Sequence, residues 1–186
     1  MKVLVTGATG LIGSTVCAQL MSEGHHVIAV VRPGSNPLPS GAAQIVEIDM
    51  ARATGVQIWA EHLFGVDAVV NCVGALQDSA REDTEGVHVT GAAALFRACE
   101  RLSIRRVIHF SAIGVDRAQP SAFSATKLEG DHLLMERDLD WVILRPSVVL
   151  GRNVFGASAL IRGLSALPFA LSLGRTAPLQ VVQLDD

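Results

Sequence analysis

The chain has 186 residues, 49% hydrophobic and 18% charged, which suits one well-filled domain, or one domain and the start of another, and excludes global disorder. Fifteen Lys and Arg against eighteen Asp and Glu give a net charge of −3, so no basic excess exists to neutralise a nucleic-acid backbone. Aromatic residues make up only 4%, and tyrosine is absent altogether.

Taken in chain order, residues 3–6 read as a buried strand, and residues 11–23 have helical periodicity that ends at Gly24. Residues 27–31 form a second strand, stopped by Arg32-Pro33-Gly34, and residues 33–41 are a loop rich in Pro, Gly and Ser. A third strand covers 44–48 and a fourth 66–71, with a short helix over 56–64 between them. A long helix over 83–102 leads to a fifth strand at 106–110. A helix over 121–137, with Ser121 as its N-cap, leads to a sixth strand at 141–145 that Pro146 ends. Strands apolar on both faces that alternate with helices predict a parallel sheet covered on both sides. The handedness of the crossovers then makes it a doubly wound, Rossmann-like α/β fold.

After Gly151 the alternation weakens. Residues 157–166 are expected to be helical, residues 164–173 are apolar but interrupted by Pro168, and residues 179–184 look like one more strand before Asp185-Asp186. No uninterrupted apolar stretch reaches the roughly 20 residues that a membrane-spanning helix needs. Cys17, Cys72 and Cys99 lie far apart in apolar runs and have no metal-ligand spacing, so they read as reduced core residues of a cytoplasmic protein.

The strongest motif is Thr6-Gly7-Ala8-Thr9-Gly10-Leu11-Ile12-Gly13, between the first strand and the first helix. Gly7 permits the tight turn, Gly10 lets backbone approach a pyrophosphate, and Gly13 lets the helix pack close to the sheet. The helix start offers N–H groups and a positive dipole end to the anion. No Gly-Lys-Ser/Thr follows, so the loop is not that of a P-loop nucleotidase. There is no Gly-x-Ser-x-Gly elbow of a hydrolase.

The Gly-x-x-Gly-x-x-Gly spacing after Thr6 resembles the short-chain dehydrogenase/reductase superfamily. The resemblance continues through Asp49-Met50, Asn71-Cys72-Val73-Gly74, Phe110-Ser111-Ala112, Phe123-x-x-x-Lys127 and Leu144-Arg145-Pro146-Ser147. Three further stretches, Val87 to Gly91, His109 to Gly114 and Ala125 to Asp131, are similar to the atypical extended branch, which includes the NADPH-binding accessory subunit of respiratory complex I. The resemblance implies a dinucleotide held by Gly7, Thr9, Gly10, Leu11, Ile12 and Gly13, with Asp49 and Met50 at the adenine. Asn71, Val73 and Gly74 would lie beside the adenine ribose, and Lys127 and Pro146 near the nicotinamide. Asp49 serves equally well as an N-cap for the segment that starts at Ala51.

Readers of NAD usually end the second strand with an acid that takes the ribose hydroxyls. Here that strand ends Val30-Val31-Arg32, with no Asp or Glu nearby, and Ser35 adds a hydroxyl. Arginine pairs with a 2′-phosphate, which favours NADP(H), with NAD(H) as the second choice.

The same resemblance implies a tyrosine general acid/base four residues before the lysine, on one helix face. Lys127 is present, but the tyrosine position is Phe123, and no tyrosine elsewhere can replace it. The substrate-orienting hydroxyl aligns with Ala112, one residue past Ser111, and His88 replaces a frequent asparagine. Lys127 and Ser111 are therefore the surviving catalytic candidates, and His88 and His109 the titratable substitutes. Residues 1–150 are expected to form the nucleotide-binding domain, and residues 151–186 the start of an incomplete substrate lobe. The expected function is NAD(P)(H) binding with little ordinary dehydrogenase activity, in a structural, sensing or assembly role. The rival is an active oxidoreductase or nucleotide-sugar epimerase/dehydratase with a substitute acid. Partners are then the dinucleotide and an unidentified small molecule or protein. If Leu167, Phe169 and Leu171 lie uncovered, a homodimer is one way to bury them.

Overall fold

A computed structural model describes residues 1–79, 82–151, 163–166 and 180–184. Strand β1 (Lys2–Thr6) leads into helix α1 (Leu11–Ser22), which a Schellman turn closes. In that turn Gly24, at φ +80°, donates its N–H to the Met21 carbonyl and His25 donates to Leu20. Strands β2 (His26–Val31) and β3 (Gln44–Glu47), helix α2 (Val56–Leu63) and strand β4 (Ala68–Asn71) follow. A π-helical turn at Gly86–Gly91 runs directly into α3 (Ala92–Arg101). Strand β5 (Arg106–Phe110), helix α4 (Ala122–Met135) and strand β6 (Asp140–Leu144) complete the main unit. Strands β7 (Val148–Leu150) and β8 (Val181–Gln183) pair in parallel as a separate two-stranded sheet.

The six-stranded sheet has the order β3-β2-β1-β4-β5-β6 and is parallel throughout. This is the doubly wound Rossmann-like arrangement, with the order reversing between β1 and β4. Alternate residues of each strand face opposite sides, as the two-residue period requires. Leu4, Ile28, Val69 and Val107 join Trp59, Phe96 and Leu134 in the core under α2, α3 and α4. Val3, Val5, Val27 and Val70 pack with Cys17 under α1. Toward β6 the second core thins, and Val142 and Leu144 are exposed among the described residues.

Element boundaries differ from expectation by one or two residues at most ends. β6 stops at Leu144, and the Pro146 carbonyl accepts the Ile113 N–H beyond it. Helix α4 ends at Met135, although its N-cap is Ser121, whose hydroxyl accepts the Ser124 N–H. The long helix expected over 83–102 starts with Asp83, whose carboxylate accepts the Gly86 N–H, and its first full turn is π rather than α. At that turn Gly91 packs against the backbone of Met50, where a Cβ would lie 2.1 Å from the Met50 carbonyl oxygen. Of the expected helix over 157–166, residues 163–165 are helical and 157–162 lie outside the described residues. So do Leu167, Phe169, Leu171 and the Asp185-Asp186 pair, whereas the expected strand over 179–184 is seen as β8.

Candidate functional site

The carboxyl ends of β1, β4 and β5 meet at the crevice where the strand order reverses. Gly7 sits there at φ +65°, a conformation that glycine adopts at no steric cost. A Cβ on Gly7 would reach the Cys72 and Val73 backbone at 3.0 Å, and one on Gly13 would lie 2.1 Å from the Gly7 carbonyl oxygen. A Cβ on Gly10 meets only that same oxygen, at 3.3 Å. Gly10 is the N-cap of α1, and no side chain caps the helix. The first-turn amides of Leu11, Ile12 and Gly13 thus lack the intrahelical acceptors that later residues have. The loop is shaped as a backbone cradle for an anion, and its chemistry fits a pyrophosphate.

Asn71 is buried, and its side chain works inward. Its Oδ1 accepts from the Thr6 hydroxyl at 2.6 Å and from the Val73 N–H at 3.4 Å. Its Nδ2 faces His109 Nδ1 at 3.0 Å. The Asp49 carboxylate accepts the Ala51 N–H at 3.2 Å and pairs with Arg52 at 3.4 Å; it closes a turn rather than capping a helix, because the next helix, α2, starts at Val56 with Gly55 as its N-cap. The Met50 side chain lies in the core. Arg32 stands just past β2, with Ser35 closing the following turn by donating its N–H to the Arg32 carbonyl. Thr9 and Val73 are half-buried, and Gly74 is exposed.

Lys127 is buried, and its Nζ donates to the carbonyls of Phe110 (2.9 Å) and Val73 (3.2 Å), tying the ends of β5 and β4 together. Burial pushes its pKa down to about 8, against an opposing pull from Asp131 and Cys72. A Cβ on Gly74 would lie 3.6 Å from this nitrogen, so glycine leaves the ammonium's flank open. Phe123, one turn earlier on α4, meets the His88 ring edge-on with centroids 5.6 Å apart. His88 Nε2 accepts the Ala75 N–H at 3.0 Å, so in the neutral ring Nδ1 carries the proton, toward Thr126 Oγ1 at 2.9 Å. Burial, then the Lys127 charge, lower the His88 pKa to about 3.

Ser111 and His109 converge on a residue that motif reading did not single out, Asp131. The Ser111 hydroxyl donates to Asp131 Oδ2 at 2.9 Å, and Arg145 reaches the same oxygen at 2.9 and 3.0 Å. His109 Nε2 approaches Oδ1 at 3.5 Å. Because Asn71 donates to Nδ1, the neutral His109 ring carries its proton on Nε2, facing Asp131. Burial lowers the His109 pKa. Burial works to raise that of Asp131, but hydrogen bonding from its partners outweighs it and holds the group ionised. A polar chain, buried from Thr6 at the glycine loop to Asp131, thus reaches the exposed Arg145 beside Pro146. Its signal was present in the spacing: Phe123, Lys127 and Asp131 recur every fourth residue, on one helix face.

Both buried histidines make acid stability a direct test. Below pH 6.5 the unfolded chain takes up protons at His88 and His109 that the folded protein does not. Their contribution is complete above pH 6.5 and is lost as pH falls toward the folded values. His88 should add a slope of about 1.4 kcal/mol per pH unit between about pH 6 and 4.5, and His109 a contribution of the same sign. Urea unfolding across that range should show the slope reduced by about that amount in His88→Gln. An unchanged slope would mean that His88 is protonated in the fold.

A parallel sheet in this strand order, with a glycine cradle between its first strand and helix, defines a dinucleotide-binding α/β protein. Residues 7–157 match the model of the NAD(P)H-binding family, and the chain belongs to that family. Its fold is Rossmann-like, and its match to an NAD-dependent epimerase/dehydratase structure is consistent with the short-chain dehydrogenase/reductase superfamily. An uncharacterized protein of Mycobacterium tuberculosis is 28% identical over 100% of this chain, and the chain spans only 19% of that relative's length. Among solved structures, a Bacillus halodurans protein assigned as an NAD-dependent epimerase/dehydratase is 26% identical with a TM-score of 0.70, over 82% of this chain and 73% of that one. UDP-glucuronic acid 4-epimerase from Bacillus cereus, in complex with NAD, is 25% identical with a TM-score of 0.66, over 81% and 58% of the two chains. No helix among the described residues is long and apolar enough to cross a membrane.

Proposed function

We propose that this chain holds NADP(H), and less tightly NAD(H), as a structural, sensing or assembly ligand, with little or no tyrosine-dependent dehydrogenase activity. The observation that carries this reading is Phe123. At the position of the acid/base, one turn before Lys127, stands a phenyl ring packed on His88. His88 has both ring nitrogens committed and a pKa too low to supply a proton near neutrality. Asp131 is ionised and held by Arg145, and the Ser111 proton is already directed at it. The groups around Lys127 therefore fix backbone and orient one another.

In this reading Gly7, Thr9, Gly10, Leu11, Ile12 and Gly13 hold the pyrophosphate, and Arg32 and Ser35 take the adenosine 2′-phosphate. Asp49, Met50, Asn71, Val73 and Gly74 shape the adenosine side, and Lys127 and Pro146 the nicotinamide side. Residues 1–150 are the nucleotide-binding unit and residues 151–186 open a substrate lobe. A bound nicotinamide supplies a hydride donor or acceptor. In this reading the protein works in the cytoplasm.

A second reading, an active oxidoreductase or sugar epimerase/dehydratase, is favoured by Lys127 itself. Its ammonium lies beside the open flank of Gly74 with a pKa near neutrality, where an acid works best. One experiment separates the two. NADPH and NADH are titrated into the protein, and hydride transfer to ketones and nucleotide sugars is then followed by the near-ultraviolet absorbance of the reduced nicotinamide. Wild type should bind and turn over barely at all, and Phe123→Tyr should gain on the order of 10²-fold in rate. Brisk wild-type turnover that Lys127→Met abolishes would establish the second reading instead.

A further inference from the structure

Resting on the dinucleotide site proposed above, we infer that Arg32 and Glu82 form a two-residue reader of the adenosine ribose. The guanidinium takes a 2′-phosphate and the carboxylate takes free ribose hydroxyls. Arg32 lies just past the end of β2, where dinucleotide folds discriminate the ribose. The strand end and the turn after it, residues 30–36, contain no acid. The fold nevertheless delivers one from fifty residues away. Glu82 Oε1 lies 3.1 Å from an Arg32 terminal nitrogen.

Glu82 is placed by its own backbone. Its N–H donates to the Ser79 hydroxyl at 3.1 Å, and its carbonyl accepts the Ser79 N–H at 2.9 Å. On the far side, Asp78 Oδ1 accepts both the N–H and the hydroxyl of Thr84 at 2.8 Å. The turn is thus fastened before and after the carboxylate, between β4 and the π-helical turn. The acid that other dinucleotide folds carry at the end of the second strand is here brought in from the connection after the fourth.

The two charges pull the selectivity in opposite directions. A carboxylate accepts from the 2′- and 3′-hydroxyls of NAD(H) and repels a 2′-phosphate. The guanidinium attracts that phosphate through charge-assisted hydrogen bonds. A 2′-phosphate must also compete with Glu82 for the same guanidinium. Glu82 therefore narrows the preference that Arg32 creates and lets the site accept both dinucleotides.

The test is calorimetric titration of NADPH and NADH into wild type, Glu82→Gln and Arg32→Gln. Both side chains are well exposed, at 47% for Arg32 and 34% for Glu82, so the variants should fold as wild type does. Glu82→Gln should shift the ratio of the two dissociation constants about three- to tenfold toward NADPH, with part of the shift coming from weaker NADH binding. Arg32→Gln should shift it at least about tenfold toward NADH. A ratio moved by Arg32→Gln and untouched by Glu82→Gln would overturn the role of Glu82 while leaving the Arg32 assignment standing. A ratio that Arg32→Gln does not move would overturn both. Failure of wild type to bind either dinucleotide would instead overturn the site on which the inference rests.

Discussion

Gly10→Val should abolish dinucleotide binding in a protein that still folds, whereas Gly13→Ala should unfold much of it. The two glycines lie three residues apart in one loop, and their surroundings are opposite. Gly10 has an extended backbone that any residue adopts, and an added Cβ meets only the Gly7 carbonyl oxygen at 3.3 Å. A valine there projects into the crevice, over the first-turn amides of α1. Each charge-assisted bond from those amides is worth about 1.5–3 kcal/mol, so the loss should exceed about 100-fold in affinity. The cost to stability should stay near about 1 kcal/mol, as for other poor N-cap residues. At Gly13 the added carbon would sit 2.1 Å from the Gly7 oxygen and 2.8 Å from its carbonyl carbon. Backbone cannot yield as a side-chain tip does, so α1 must lift from β1 at a cost of about 3 kcal/mol or more. Urea unfolding with and without NADPH reads both effects. Wild-type affinity in Gly10→Val would remove the cradle from the binding site.

Asp131→Ala should destabilise the protein by about 2–3 kcal/mol, although Asp131 lies outside the glycine loop. Its carboxylate is buried and receives the Ser111 hydroxyl, two nitrogens of Arg145 and the approach of His109 Nε2. Removing it leaves the buried Ser111 hydroxyl without its acceptor, which costs more than that bond contributed, while Arg145, a third exposed, keeps Asp116 at 3.4 Å. Asp131→Asn keeps the shape and one acceptor, so its loss should be smaller. Chemical denaturation measures both variants. A loss below about 1 kcal/mol for Asp131→Ala would mean that Arg145 and Ser111 find other partners, and that the polar chain from Thr6 to Arg145 does not hold the sheet's carboxyl edge together.

Much of this was legible in the residues alone. The glycine spacing after the first strand, the two-faced apolar strands and the Ser121 cap are short-range signals, because each depends on the period or turn chemistry of one element. The absence of tyrosine is a matter of composition, and no fold can undo it. That the sheet is parallel and doubly wound follows from strands and helices alternating under a fixed crossover hand, whereas the strand order came from the structure. The structure decided what lies across elements. Asn71 turns inward to Thr6 and His109 because β1, β4 and β5 are neighbours in the sheet. Asp131 acquires Ser111 and Arg145 from the ends of two strands that flank its helix in sequence. The π-helical turn carries His88 onto Phe123 and Thr126. Glu82 meets Arg32 across fifty residues of chain. Pairings of this kind leave no period in the sequence, since the distance between partners along the chain is set by the crossovers that fold them together.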